Sequence, residues 1–402
     1  MHLITSLLLL LTVSRLLGRL FKSMGYYPII GEILAGVLLG PSVFGLVEST
    51  ENLKGIVELA VFLLIFASGL EVDLKDFIAS LKERALLCSL ITFVGSFAAG
   101  LGVGTLLQLS LFASVIISLC FAITSIPVAL NVLSSTKLMD TKVGHTVMGT
   151  AVVLEILSLL VLGITFDAQE SSSFMALVKV IFLKGTFMLV FFFSIMIVNK
   201  ILRSELRHIK RTQKLVKQLI DYVGEEAVFG MGLVFVLVFS TLAEALGFHF
   251  IIGAFFGGLL LNKDIIGTDI FRSLSHTLES ITSHFLTPIF FAHLGLLISP
   301  EAFESWVPVV VIIGVGYGAK ILSSWLGARI SGFTRSEALK VGLVLNSRGT
   351  FDLIVANLAL SKGHIDSQFF SILILFGVLS VLFNPIIYRQ IFYREITEIS
   401  RG

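Results

Sequence analysis

Long apolar runs, separated by short polar segments, dominate the chain. Thirteen of them come close to or exceed the roughly 20 apolar residues that cross a bilayer as a helix: 2–21, 27–46, 55–72, 84–108, 111–134, 143–166, 174–200, 226–246, 248–262, 281–298, 305–330, 338–361 and 368–392. The run at 248–262 is the shortest. The pattern predicts an all-α polytopic membrane protein. The opening stretch, Leu3 to Leu17, has the length of a signal-peptide core. It lacks a basic leader and a small-residue cleavage site, so it is read as the first span.

Composition agrees. Of 402 residues, 56% are hydrophobic and only 14% charged, too few to cover a soluble domain of this size. The 35 phenylalanines suit lipid-facing surface, and the 35 glycines suit close helix packing and broken helices. Cys88 and Cys120 both fall in spans and imply neither a disulfide framework nor a metal site. The net charge of +2 says little, but its placement sets an orientation. Twenty-three of the 29 Lys and Arg residues sit on the C-terminal side of the alternating spans, only Lys54 and Lys362 on the other, and Lys179, Lys184, Lys320 and Arg348 inside spans. The positive-inside rule then predicts an external N-terminus and a cytoplasmic C-terminus. Between spans seven and eight, Arg203 to Ile220 carries Leu206, Ile209, Leu215, Val216, Leu219 and Ile220 along one side of a helix. It reads as an amphipathic helix on the cytoplasmic leaflet, in contact with membrane lipid and linking the two halves.

The segment Gly25-Tyr-Tyr-Pro-Ile-Ile-Gly-Glu-Ile-Leu-Ala-Gly-Val-Leu-Leu-Gly returns 222 residues later as Gly247-Phe-His-Phe-Ile-Ile-Gly-Ala-Phe-Phe-Gly-Gly-Leu-Leu-Leu-Asn. A weaker echo links Ile65-Phe-Ala-Ser-Gly-Leu with Phe290-Phe-Ala-His-Leu-Gly-Leu. The two copies enter the bilayer from opposite sides, so the repeats are inverted, the plan of many secondary transporters. Such folds build their site where helices break near the midplane. Two candidate breaks fall in matching places. Span five holds Thr124-Ser-Ile-Pro127, where proline removes a backbone donor. Span twelve holds Asn346-Ser-Arg-Gly-Thr350, a polar stretch between apolar flanks. A plain kink would explain either break alone. Two in register favour a site whose freed carbonyls and hydroxyls, Thr124, Ser125, Asn346 and Ser347 among them, are hard oxygen ligands for an alkali cation.

The charges at membrane depth are Glu155, Lys320, Arg348 and Asp352, with Glu32 near the cytoplasmic mouth as an entrance charge. Ionisable groups in spans usually face a cavity and mark an ion or proton path. Glu155 can bind a cation as carboxylate or hold a proton as acid; it can also be a paired group that only ties helices together. Arg348 and Asp352 are four apart, so on a helix they would share a face and neutralise each other, unless Asp352 binds the ion directly. Lys179 and Lys184 can snorkel or pair. For the lone histidines His145 and His293, ordinary hydrogen bonding is the plainer role.

Tyr27-Pro-Ile-Ile-Gly-Glu-Ile-Leu-Ala-Gly-Val-Leu-Leu-Gly-Pro41 resembles the opening motif of the monovalent cation/proton antiporter superfamily, in the branch of bacterial sodium/proton antiporters, potassium-efflux antiporters and plant cation/proton exchangers. Phe66-Ala-Ser-Gly-Leu-Glu-Val-Asp73, Ser125-Ile-Pro-Val-Ala-Leu130, His249 to Leu260 and Leu345-Asn-Ser-Arg-Gly-Thr-Phe-Asp-Leu-Ile-Val355 extend the resemblance over nearly the whole chain. It implies a homodimer in the bacterial inner membrane with two crossing broken helices. A dimerisation domain would comprise 1–72 and 226–298, and a transport core 84–166 and 305–392, moving like an elevator. The linker would be 174–225, and 393–402 a short tail in place of the cytosolic nucleotide-binding domain of many potassium-efflux relatives. Where the family carries a pair ending in Asp in span six, this chain has Leu154-Glu155: the ion-binding acid is kept as Glu and its partner is lost. Lys320 matches the family's basic residue in span eleven, and Arg348 and Asp352 match the charges of its second broken helix.

The resemblance implies exchange of Na⁺ or K⁺ for H⁺, electroneutral if the single acid carries one cation one way and one proton back. A sodium-coupled organic-solute symporter of similar architecture, and a channel-like or sensor relative that lost exchange with the missing partner acid, are the alternatives. No nucleophile arrangement, metal-ligand spacing or phosphate-cradling loop points to an enzyme, a resident cofactor or a nucleic-acid partner.

Overall fold

The structure, a computed structural model, describes residues 2–72, 84–168, 186, 227–246 and 248–401. Every regular element among them is helical. The expected span at 174–200, with Lys179 and Lys184, the amphipathic segment at 203–220, and Asp73 and Gly247 of the motifs lie outside the described residues.

Helices α1 (Leu3–Ser23), α2 (Pro28–Leu39), α3 (Glu51–Glu71) and α4 (Arg84–Leu106) follow the first four predicted spans. Then come α5 (Leu111–Ala122), α6 (Ile126–Ser135) and α7 (Lys142–Ala168). The second half contains α8 (Ala227–Ala245), α9 (Phe250–Leu260), α10 (Thr268–Ile281), α11 (Thr287–Leu296), α12 (Trp306–Ile330), α13 (Arg335–Leu345), α14 (Thr350–Ser361) and α15 (Ser367–Arg401). Among the described residues, eight helical stretches are long and apolar enough to cross a membrane, and α2, α9 and α14 are shorter apolar helices. The stretch Leu111–Ser135 is α5 and α6 taken together.

Two boundaries differ from the apolar pattern. Span 27–46 stops being helical at Leu39, and residues to Val47 fold back so that Leu46 and Val47 both bond to Leu39 O. The span placed at 281–298 is preceded by α10, which hydropathy alone reads as loop because most of its face is polar. Its apolar Leu274 and Leu278, one turn apart, are buried, which is enough to dock it. Gly267, at φ +93°, supplies the left-handed residue that starts it. Between α10 and α11, Thr282–Leu286 forms a π-turn. Pro288 follows, and the wider turn suits a residue that cannot donate to the carbonyl four positions back.

The chain divides into two compact units, one of 1–51, 76–158 and 291–402, the other of 52–75 and 159–290. Each contains one copy of the same glycine joint. In the first unit, a Cβ on Gly36 of α2 would overlap Ala292 O of α11, and one on Gly295 of α11 would overlap Ile33 O. In the second, a Cβ on Gly258 of α9 would press on Phe66 O of α3, and one on Gly69 of α3 would overlap Phe255 O. Ile33 and Phe255, like Gly36 and Gly258, are related by the 222-residue repeat. The preceding helices repeat the arrangement: Gly31 abuts Leu17 O of α1, and Gly253 abuts Phe239 O of α8. The sequence repeat is therefore a repeat of backbone-to-backbone packing, which only residues without side chains allow.

Replacing Gly36 with Ala is expected to destabilise the protein by about 1–3 kcal/mol, because overpacking here meets backbone. Gly55→Ala in α3 meets nothing within 4 Å. It is expected to hold or gain stability, since alanine narrows the unfolded ensemble. Thermal unfolding in detergent compares the two.

Candidate functional site

Both predicted breaks are present. α5 ends at Ala122, Ile123 to Ser125 run extended, and α6 restarts at Ile126 with Pro127 in its first turn. A continuous helix would need an N–H at 127 to bond Ile123 O, and proline has none. α13 starts under a capping box in which Thr334 and Glu337 exchange bonds; the Thr334 N–H and hydroxyl, both donating to the Glu337 carboxyl, hold it below its usual range. It ends at Leu345, and α14 begins at Thr350.

A helix leaves its last four carbonyls without intrahelical partners, and in an apolar interior these must be met elsewhere. At the end of α13 they are met by neutral donors. Leu343 O accepts from Asn384 Nδ2 (2.8 Å), Leu345 O from the Thr124 hydroxyl (2.8 Å), Asn346 O from the Ser380 hydroxyl (3.0 Å) and Ser347 O from the Ser125 N–H (2.8 Å). At the end of α5 they are met by basic side chains. Phe121 O accepts from Arg348 Nη2 (3.2 Å), and Ala122 O accepts a very short bond from Lys320 Nζ. A cation at the carbonyl end of a helix also offsets the negative end of its dipole. The two breaks thus cross and complete one another, with Ser125 against Gly349. A Cβ on Gly349 would overlap the Ser125 hydroxyl, so the contact requires glycine there.

The crossing is buried and densely polar. Thr124, Ser125, Lys320, Asn346, Ser347, Arg348 and Asp352 are all buried. The Arg348 guanidinium also lies over the Phe376 ring, 4.1 Å from its centroid. Asp352 Oδ1 accepts from Gly349 N–H (2.8 Å), capping α14, whose first turn favours a negative charge. Because α14 starts only at Thr350, Arg348 lies in the break. Its four-residue spacing from Asp352 is therefore not a helical one; the two charges still act on each other, while Arg348 Nη2 donates to Phe121 O and Asp352 Oδ1 accepts from the Gly349 N–H. The Asn346 side chain is fully buried, and neither its oxygen nor its nitrogen has a hydrogen-bond partner among the described residues.

Glu155 lies at the centre of α7, thirteen residues from either end, and is 3% exposed. Leu154 beside it is fully buried and cannot ionise. Ser158, one turn on, shares its face of the helix and is buried too. One turn and more the other way, Thr150 borders the Cys88 thiol of α4, whose sulfur lies 4.0 Å from Ser324 O of α12, one turn beyond Lys320. Glu32, expected at an open mouth, is instead 5% exposed, its carboxyl turned toward Gly18 of α1. The reason is local: glycines at 18 and 31 bring α1 and α2 into backbone contact and cover it. His293 bonds the Ser49 hydroxyl (2.8 Å), and His145 is exposed.

Ser380, Asn384 and Phe376 of α15 were not singled out by sequence. The available signal was a polar pair four apart inside an apolar run, the spacing of one helical face.

This is the architecture of a membrane transporter with crossed, interrupted helices. The structure superposes on that of the sodium proton antiporter MjNhaP1 of Methanocaldococcus jannaschii with a TM-score of 0.63 at 17% identity, covering 98% of this chain and 97% of that one. The family model described as sodium/hydrogen exchanger, transmembrane, matches residues 5–393, and the chain belongs to that family. Similar proteins include the probable Na⁺/H⁺ antiporter GerT of Bacillus cereus, 25% identical over 96% of this chain and 98% of its own length. The Na⁺/H⁺ antiporter of Enterococcus hirae is 26% identical over 97% and 98%. K⁺/H⁺ antiporter 1 of Saccharomyces cerevisiae is 25% identical over 92% of this chain, which spans 44% of that longer protein.

Thr124→Val keeps the side-chain shape but leaves Leu345 O without its donor. A loss of about 1–3 kcal/mol in stability is expected, while Thr124→Ser should stay near the wild type. Thermal unfolding of the two variants side by side checks this.

Proposed function

We propose that the protein is a secondary antiporter that exchanges Na⁺ or K⁺ for H⁺, with Glu155 as the group that cation and proton share. The observation that carries the reading is a buried carboxylate at mid-helix in a chain of the sodium/hydrogen exchanger family. Its relatives are named as Na⁺/H⁺ and K⁺/H⁺ antiporters. A carboxylate can hold either a cation or a proton, and competition for it couples the two fluxes without further machinery. Neutral oxygens complete a cation's shell. The unpartnered Asn346 amide and the hydroxyls of Ser125 and Ser347 are of the right hard type, and Thr124 keeps lone pairs after donating to Leu345 O. Lys320 and Arg348 hold the end of α5 in place, and Asp352 holds the start of α14. We assign Asp352 a supporting role at the site and Glu32 none in direct coordination.

Leu154 leaves one acid at this position of α7. One cation one way and one proton back makes the exchange electroneutral. The glycine joints link α2 with α11 and α3 with α9, all within 1–72 and 226–298, the proposed dimerisation domain. The crossing draws only on α5, α6 and α12 to α15, within 84–166 and 305–392, the proposed moving core. Compactness alone divides the chain differently. We further propose, as the family resemblance implies, a homodimer in a bacterial inner membrane; the distribution of Lys and Arg supports an external N-terminus and a cytoplasmic C-terminus.

Proteoliposomes containing a pH dye, given Na⁺, K⁺ or Li⁺ in turn, test the reading. Glu155→Gln is expected to abolish cation-driven proton movement in a protein that still folds, and Glu155→Asp to retain a weaker flux. An imposed membrane potential is expected to leave the wild-type rate unchanged. Full transport by the Gln variant would overturn the assignment of Glu155, and a strong voltage dependence would overturn electroneutrality.

A further inference from the structure

The two breaks are held by different chemistry. The first is tied down by the basic side chains of Lys320 and Arg348; the second is tied down from α15 by Ser380 and Asn384, which do not titrate. Ser380 and Asn384 are one turn apart and so face the same way. Their acceptors, Leu343 O and Asn346 O, are three residues apart at the end of α13 and face the same way in turn. Asn384 Nδ2 also reaches the Ser347 hydroxyl at 3.2 Å. All five residues are at most 3% exposed. The pair therefore fixes the main chain that carries Asn346, whose side-chain amide has no hydrogen-bond partner among the described residues, and it orients the Ser347 hydroxyl directly.

We propose that Ser380 and Asn384 are positioning residues for the transported cation: from α15 they aim the neutral oxygens of Asn346 and Ser347 at it, and so set cation affinity without taking part in proton exchange. This rests on the exchange reading above. A buried amide without partners costs stability, and such a group in a native interior calls for a ligand or water. A cation held by neutral oxygens supplies one for Asn346 Oδ1. Because neither clamp residue titrates, loosening the clamp should weaken cation binding and leave the proton side alone.

The test is transport by the full chain in proteoliposomes, with Na⁺ and K⁺ titrated separately at several pH values. Ser380→Ala and Asn384→Ala are each expected to raise the KM for the transported cation by about three- to tenfold, the scale of one lost neutral hydrogen bond. Maximal rate and the pH profile at saturating cation should change little. Ser380→Thr, which keeps the hydroxyl, should restore the wild-type KM. Ser380→Cys keeps the volume but offers only a weak donor. It carries the same expectation in case the alanine variant fails to assemble. Variants that melt lower but keep the wild-type KM would show the clamp to be structural only, and would overturn the proposal alone. A shifted pH profile with unchanged KM would overturn it as well. Absence of cation-driven flux in the wild-type protein would overturn the exchange reading and this proposal with it.

Discussion

A helix interrupted inside a bilayer exposes carbonyls that lipid cannot satisfy, and in this protein each interrupted helix meets the need of the other. The Ser125 N–H bonds Ser347 O, the Thr124 hydroxyl bonds Leu345 O, and Arg348 reaches back to Phe121 O. None of these bonds forms unless both chains break at the right residue. Pro127 and Gly349 are therefore parts of one device: proline forbids a continuous helix on one side, and glycine makes room for Ser125 on the other. The polar groups nearby, Lys320, Asp352, Ser380 and Asn384, satisfy further backbone groups that the two interruptions open.

Around this crossing the protein uses glycine for closeness and charge for placement. The α2–α11 and α3–α9 joints bring backbones together where any side chain would intrude. Buried cations are costly to bury unless something repays their lost hydration. Here helix-end carbonyls do so for Lys320 and Arg348, and the Phe376 ring adds to it for Arg348. Glu155, buried at the middle of α7, is the acid to which the proposed chemistry is assigned.

Much of this was legible in the residues. Pro127 and the polar run Asn346 to Gly349 marked both breaks to within a residue or two, because a missing donor and a polar stretch in an apolar span have few other uses. The 222-residue repeat marked the glycine joints, since what it preserved was the absence of side chains. Hydropathy was less informative where burial is one-sided. α10 is docked by Leu274 and Leu278 alone and reads as a loop. Glu32 carries the residue type of an entrance charge, but two glycines on α1 and α2 close the helices over it. Arg348 and Asp352 do act on each other, but not through a shared helical face, because the helix begins two residues too late to include both. Ser380 and Asn384 went unmarked because a serine and an asparagine in an apolar span carry no charge to draw notice, and their partners are backbone atoms 34 and 41 residues away.

The central claim is that one carboxylate serves cation and proton in turn. It is tested most directly by counting protons released when the purified protein binds Na⁺ or K⁺. Calorimetric titration near neutral pH, in buffers of different ionisation enthalpy, gives that number. The account predicts up to one proton released per cation bound, approaching one at pH values where Glu155 is protonated before binding, and loss of this linkage in Glu155→Gln. Cation binding by the wild-type protein with no proton released at any pH, or proton release that persists in the Gln variant, would contradict it.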